Sequence, residues 1–140
     1  MAAAALAQAA VEKEAAGTYV GERSKAGARE GHGASTYPDG SVYEGEYMAD
    51  VKHGRGAFLY PGGAADLVMF RDGSQEGDGV TWAADRQRAW LLRDGTSQGE
   101  FSLDEARAVT ARVGLPVPPP VLTRVYQEHS VNLHNSKTLS

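Results

Sequence analysis

The sequence predicts a mainly β protein: a single-layer antiparallel β-meander of hairpin repeats, with a short helix at each end. Glycine accounts for 17 of the 140 residues, which suits many tight turns and disfavours a helical bundle. Short runs of aromatic and β-branched residues alternate with polar turn segments. A Gly-x-Gly pair and a Tyr-Pro turn recur at a step of about 23 residues, a period typical of stacked repeat arrays.

The first element is a leader over residues 1–16, which is rich in alanine and other helix formers. Leu6, Ala10 and Val11 lie near one another on the surface of such a helix, and Gly17 follows its charged end. The segment lacks the basic residues of a signal or transit peptide. Two interpretations stay open, a weakly docked extension and a helix that packs on the end of the array.

The array spans residues 17–101, and its two clear hairpin repeats span residues 19–40 and 43–63. Alternate residues of a strand share a face, so Tyr43, Gly45 and Tyr47 lie together, opposite two glutamates. An aromatic ring can then pack on the bare backbone of a glycine, which makes the recurrent glycines structural. The glycines assigned this structural role are Gly21, Gly31, Gly33, Gly40, Gly45, Gly54, Gly56, Gly63, Gly77 and Gly79.

Residues 66–101 carry a degenerate form of the repeat. Arg-Asp-Gly occurs at residues 71–73 and again at 93–95, which predicts two further hairpins with Asp-Gly turns. Terminal units of an array are usually atypical because they cap it. Trp82 and Trp90 are therefore expected to be bulky core residues.

A capping helix is predicted over residues 102–114. Ser102 and Glu105 form a capping box, apolar residues follow at helical spacing, and Gly114 and Pro116 end the helix. We expect this helix to cover the open edge of the last hairpin, because an uncovered sheet edge invites aggregation. Residues 115–140 form a Pro-rich, polar tail that is expected to be disordered.

Composition and charge disfavour several classes of function. There is no cysteine, which excludes disulfides and thiolate metal sites. The net charge is −4, and the array holds nine basic against thirteen acidic residues, the wrong sign for a nucleic-acid footprint. His32 and His53 are not equivalent in the repeat frame, so a metal pair is not indicated. No phosphate-binding loop or catalytic constellation is found, so we expect a non-enzyme without a cofactor or a small-molecule substrate.

The strongest motifs lie in residues 43–47, 53–56 and 60–63, Tyr-Glu-Gly-Glu-Tyr, His-Gly-Arg-Gly and Tyr-Pro-Gly-Gly. Together they resemble a full MORN repeat, and residues 19–40 resemble a second one. The chain is similar to short MORN proteins of algal and protist type. The resemblance implies an elongated meander that serves as a scaffold, a dimerisation surface or an anchor beside membranes, without chemistry of its own.

The expected function is a non-catalytic protein-interaction or scaffold module that binds a protein partner or itself. The longest apolar run is too short to span a membrane, so we expect a soluble, cytoplasmic protein; association with the cytoskeleton or a membrane stays open. Alternatives are a phosphoinositide-binding membrane anchor, which the acidic charge disfavours, and a regulatory subunit of a larger enzyme complex. The candidate interaction face consists of Tyr19, Tyr37, Tyr43, Tyr47 and Tyr60. If neighbouring elements bury these rings, they are core instead.

Overall fold

A computed structural model describes residues 17–121, which form eight strands followed by one helix. The elements are β1 (Thr18–Arg23), β2 (Arg29–Thr36), β3 (Val42–Met48), β4 (Val51–Leu59), β5 (Ala65–Arg71), β6 (Ser74–Trp82), β7 (Ala89–Arg93), β8 (Thr96–Phe101) and α1 (Leu103–Val113). The predicted leader helix over residues 1–16 lies outside the described residues, as does the tail beyond residue 121.

The strands form one open sheet in the order β1-β2-β3-β4-β5-β6-β7-β8, and every neighbouring pair is antiparallel. The predicted β-meander is therefore confirmed. Each strand from β2 to β7 pairs with the strand before it and the strand after it in sequence, as expected when short turns join neighbouring strands. Within residues 17–121 a helix is found only after the last strand.

From β2 to β8, two-residue turns alternate with longer connections. Tight turns join β3 to β4, β5 to β6 and β7 to β8, and both central residues of each have positive φ, for example 52° at Asp72 and 89° at Gly73. This is the type I′ geometry that Asp-Gly favours, so the two predicted Asp-Gly turns are confirmed. The β3–β4 turn uses Ala49 and Asp50 in place of Asp-Gly.

The two glycines of each Gly-x-Gly pair serve different purposes. The first member, such as Gly54 with φ 90°, lies where the register of the hairpin shifts and takes a left-handed conformation. In the two regular repeats the second member lies beneath a tyrosine: a Cβ atom on Gly56 would lie 2.3 Å from Cε1 of Tyr43. Gly33 lies beneath Tyr19 in the same way. The expected packing of rings on glycine is thus found at Gly33 and Gly56, but not at Gly54, where an added Cβ would meet the Glu46 carboxylate, nor at Gly79, where it would meet Val68.

The sheet has two apolar faces, because alternate residues of each strand point in opposite directions. We call one the aromatic face; its cluster is Tyr37, Tyr43, Tyr47, Val68, Phe70 and Leu92, with Tyr19 and Phe58 packed against it. We call the other the helix face; its cluster joins Leu67, Val80, Trp82 and Ala89 to Ala106, Val109 and Val113 of α1. Helix α1 therefore covers the β5–β7 part of one face.

The predicted capping box is present at the start of α1. The Ser102 hydroxyl accepts a hydrogen bond from the Glu105 backbone N–H (3.0 Å), and the Glu105 carboxylate accepts one from the Ser102 N–H (3.2 Å). Gly114 ends the helix with φ 89°. Thr110 is also buried, and its hydroxyl accepts a hydrogen bond from the Trp82 indole N–H (3.1 Å).

Two expectations about the end of the array were wrong. Helix α1 lies on the helix face and not along the edge strand β8, because the apolar residues it can bury project from the face of β5–β7. Trp82 is buried as predicted, whereas Trp90 is only partly buried and lies on the aromatic face beside Arg88, whose guanidinium carbon lies 5.1 Å from the ring.

The start of the Pro-rich tail is ordered against the array. Residues 115–121 follow α1, and the guanidinium of Arg86 donates hydrogen bonds to the carbonyls of Pro118 (2.9 Å) and Pro119 (3.1 Å). It also donates to the carbonyls of Gly63 and Ala83, both at 2.7 Å. The expectation of disorder therefore does not hold for residues 115–121, because a buried arginine joins them to two turns of the sheet.

Candidate interaction surface

The tyrosines of the aromatic face form a ladder of edge-to-face contacts. Tyr19 meets Tyr47, Tyr47 meets Tyr43, and Tyr43 meets Phe70, with ring centroids 5.3, 5.3 and 5.5 Å apart. Each of these arrangements is close to perpendicular, the geometry that aromatic quadrupoles favour. Each ring therefore covers part of the next, and Tyr43 is completely buried.

Hydrogen bonds fix the hydroxyl ends of the ladder. Tyr19 donates to the carbonyl of Glu22 (2.7 Å), and Tyr43 donates to the equivalent carbonyl of Glu46 (3.0 Å). Burial raises the pKa of the Tyr43 phenol well above its usual range. These phenols therefore remain neutral hydrogen-bond donors, and the ladder acts as the core of the repeat.

Much of the predicted interaction face is consequently core. Tyr37, Tyr43 and Tyr47 are each 3% exposed or less, so their rings have little surface to offer a partner. Tyr19 is partly buried, and Tyr60 is 39% exposed. The alternative that neighbouring strands bury the rings is thus the one found for the three central tyrosines.

A second aromatic group lies at the Tyr-Pro turns. Tyr37 stacks on Phe58 with ring centroids 5.6 Å apart and an interplanar angle of 10°, and Phe58 contacts Tyr60 at 5.0 Å. Phe58 is partly buried, so the stack begins in the core at Tyr37 and ends in solvent at Tyr60. Sequence reasoning missed Phe58 because the equivalent position of the preceding repeat is Ser35.

A buried carboxylate orients the exposed tyrosine. Asp66 is 8% exposed, and its two oxygens accept hydrogen bonds from the Tyr60 hydroxyl (2.7 Å) and the Thr81 hydroxyl (2.6 Å). Asp66 pairs with Phe58 on one side and Thr81 on the other, and Thr81 pairs with Trp90. One row of residues across the sheet therefore joins the Tyr60 end of the aromatic stack to the partly exposed Trp90.

Basic side chains lie on the ladder at its opposite end. The Lys52 ammonium lies 5.0 Å from the Tyr43 ring centroid, and the Arg29 guanidinium carbon lies 5.0 Å from that of Tyr47. Arg29 and Lys52 occupy equivalent positions 23 residues apart in the repeat, so the sequence itself carries a signal for this pair of cations. Arg29 also donates to the Asp50 carboxylate at 2.8 Å, and this hydrogen bond lowers the pKa of Asp50. Both cations are buried among the rings, so they belong to the core of the repeat.

The described histidines are not brought together. His32 lies 4.0 Å from the Glu44 carboxylate on the helix face, whereas the His53 ring accepts a hydrogen bond from the backbone N–H of Asp72. Among residues 17–121, no group of three or more histidine and carboxylate side chains could hold a metal ion. The same part of the chain contains no helix long and apolar enough to cross a membrane.

Comparison with known families identifies the repeat. The family model for the MORN repeat matches residues 25–42 and 43–65. The second match contains β3, β4 and the turn that follows, and the first contains β2 and the start of β3. The resemblance inferred from the Tyr-x-Gly and Gly-x-Gly motifs is therefore confirmed.

Proposed function

Because the chain is a MORN-repeat protein, we propose that it is a non-catalytic interaction module that binds a protein through the aromatic face. MORN repeats occur in modules for protein or membrane interaction. The single observation that carries the proposal is the row from Tyr60 to Trp90. It presents aromatic surface on a face that no other element of residues 17–121 covers.

The row has the properties of an interaction anchor. Tyr60 and Trp90 are amphipathic, and tyrosine and tryptophan are enriched among residues that dominate binding energies. The hydrogen bond from Tyr60 to Asp66 fixes the ring before a partner arrives, which lowers the entropy cost of binding. Phe58 supports the ring from beneath. The proposed contact residues are therefore Phe58, Tyr60 and Trp90, and the buried tyrosines support them.

Capture of partners from cells tests this proposal. Tyr60→Ala and Trp90→Ala, combined in one chain, should keep the fold and lose the partners that the unchanged protein captures. Val20→Ala is the matched control, because Val20 is 77% exposed on the opposite face. If the double variant and the control capture the same proteins, the aromatic row is not the binding surface.

Self-association is part of the same test. Sedimentation of the purified protein over a wide concentration range shows whether the partner is a second copy. A dimer that the double variant abolishes would identify the aromatic face as the contact between copies. A protein that stays monomeric and captures nothing from its source would contradict an interaction role.

The competing proposal is a peripheral anchor on phosphoinositide membranes. The acidic array opposes it, since thirteen acidic residues stand against nine basic ones over residues 17–101. Flotation with vesicles that contain phosphoinositides distinguishes the two. Binding that survives physiological salt would favour the lipid anchor over the protein partner.

A further inference from the structure

Half of the helix face is uncovered in residues 17–121. Helix α1 covers β5–β7, but the same face of β1–β4 is overlaid only at its inner margin, by residues 115–119. An apolar groove runs along that margin, lined by Ala57, Leu59, Leu115 and three prolines, with His32 and Glu44 at its rim. Val20, near the outer margin, is 77% exposed.

One row of this face leads from the edge strand to the groove. Thr18 pairs with Thr36, Thr36 with Val42, and Val42 with Leu59. The row lies beside the point where residues 1–16 join the sheet, because Thr18 begins β1. Strands are about 4.8 Å apart, so Val42 lies about 10 Å and Leu59 about 14 Å from the edge.

The length and pattern of residues 1–16 fit this row. The sequence predicts a helix there, and a helix rises about 1.5 Å per residue. Counted back from Gly17, Ala10 lies about 10 Å and Leu6 about 16 Å along such a helix, close to the positions of Val42 and Leu59. Leu6 and Ala10 are four residues apart and share a side of such a helix with Ala3. Lys13 falls on the same side nearer Gly17, level with the polar start of the row at Thr18 and Thr36, where its long side chain can reach solvent.

We infer that residues 1–16 dock as a helix across the helix face of β1–β4, with Ala10 over Val42 and Leu6 in the groove at Leu59. The small side chains Ala34 and Ala57 on this face let an alanine-rich helix approach closely. The docked helix would lie on the same face as α1, so a helix at each end of the array would cover a half of that face. This surface is separate from the aromatic row, so the inference does not depend on the proposed function.

Cysteine cross-linking tests the inference in the full chain, which has no native cysteine. Ala10→Cys combined with Val42→Cys should form an intramolecular disulfide under mild oxidation. Ala10→Cys with Lys25→Cys is the matched control, because Lys25 is exposed in the β1–β2 loop at the far end of the same edge strand. We expect the first pair to form its disulfide at least about tenfold faster, since docking would hold only that pair in contact.

A second variant separates docking from simple tethering. Leu6 precedes the array in the sequence, so Leu6→Asp should leave the array intact. It should reduce the rate of disulfide formation in the first cysteine pair to the rate in the control pair. Equal rates for the two pairs, or no effect of Leu6→Asp, would overturn the inference. Disulfide-linked dimers in place of an intramolecular bond would show that a second copy occupies the groove, which would also overturn it.

Discussion

At Gly56 the backbone lies directly beneath the ring of Tyr43, and that ring is locked by Tyr47, Phe70 and its own hydroxyl bond. Gly56→Ala should therefore lower the free energy of unfolding by about 1–3 kcal/mol, as overpacking in a core does. Urea denaturation followed by circular dichroism measures this change.

Gly62 supplies the matched control for that prediction. An added Cβ at Gly62 would meet nothing within 4 Å, so Gly62→Ala should leave the urea midpoint almost unchanged. If the two variants have the same midpoint, the Tyr43 ring can move aside and the close packing of ring on glycine is not structural.

Asp50 makes stability depend on pH. Its pKa is lowered by the hydrogen bonds from Arg29, so the interaction is fully present above the ordinary carboxyl pKa and is lost as the pH falls through the lowered value. Because the Asp50 side chain is 47% exposed, the contribution should not exceed about 1 kcal/mol. Asp50→Asn should be less stable than the unchanged protein at pH 7.

The comparison at low pH completes this prediction. The difference in urea midpoint between Asp50→Asn and the unchanged protein should shrink as the pH falls from the ordinary carboxyl pKa of about 3.9 to the lowered pKa of Asp50. A difference that stays constant over this range would mean that the carboxylate charge is not what stabilises the turn.

Arg86 links residues 115–121, which follow α1, to the sheet. Its N–H donates to the carbonyl of Ala83, as the N–H groups of Gly40 and Gly63 do to the tyrosine carbonyls of their own turns, and its φ is +62°. An arginine thus occupies a turn position where two repeats have glycine. Its guanidinium compensates for the backbone conformation by binding four carbonyl oxygens.

Two substitutions separate these contributions. Arg86→Ala should cost about 2–4 kcal/mol, because it leaves buried carbonyls without donors and keeps a side chain in a left-handed conformation. Arg86→Gly should cost about 1 kcal/mol less, since glycine adopts positive φ without steric penalty. Urea denaturation of the two variants measures the difference, and equal stability would rule out a backbone contribution at this turn.

The elements show what the sequence could predict and what it could not. The strands and Asp-Gly turns follow from alternation and local turn chemistry, and the capping box of α1 is equally local, so all three were predicted. The position of α1 depends on which distant residues project from the sheet, such as Leu67 and Val80, and no local pattern contains that information.

The candidate surface was harder to predict for the same reason. Tyr47 and Tyr60 have the same residue type and recur within one repeat, yet one is buried and the other exposed. The difference arises from partners on neighbouring strands: Tyr19 and Arg29 lie on Tyr47, whereas Tyr60 follows the end of β4. Burial of a ring in an array depends on these contacts between strands, which the repeat pattern does not specify.

Over the whole molecule, contacts run mainly between successive strands, so stability should vary along the sheet. The middle strands are paired on both sides and carry the tyrosine ladder or the α1 cluster, whereas within residues 17–121 β1 and β8 each pair on one side only. Amide hydrogen exchange should therefore be slowest in β4–β6 and much faster in β1 and β8. Uniform protection across all eight strands would instead indicate a single cooperative unit.

The strictly sequential strand order also has a consequence for how the chain folds. Each strand can pair with the one just made, so the contact order of the sheet is low and the loop-closure entropy of each step is small. Folding can then proceed one strand at a time from the amino end during synthesis, faster than in a β-sandwich of similar size. Helix α1 can pack only after β5–β7 have formed, because those are the strands that it covers.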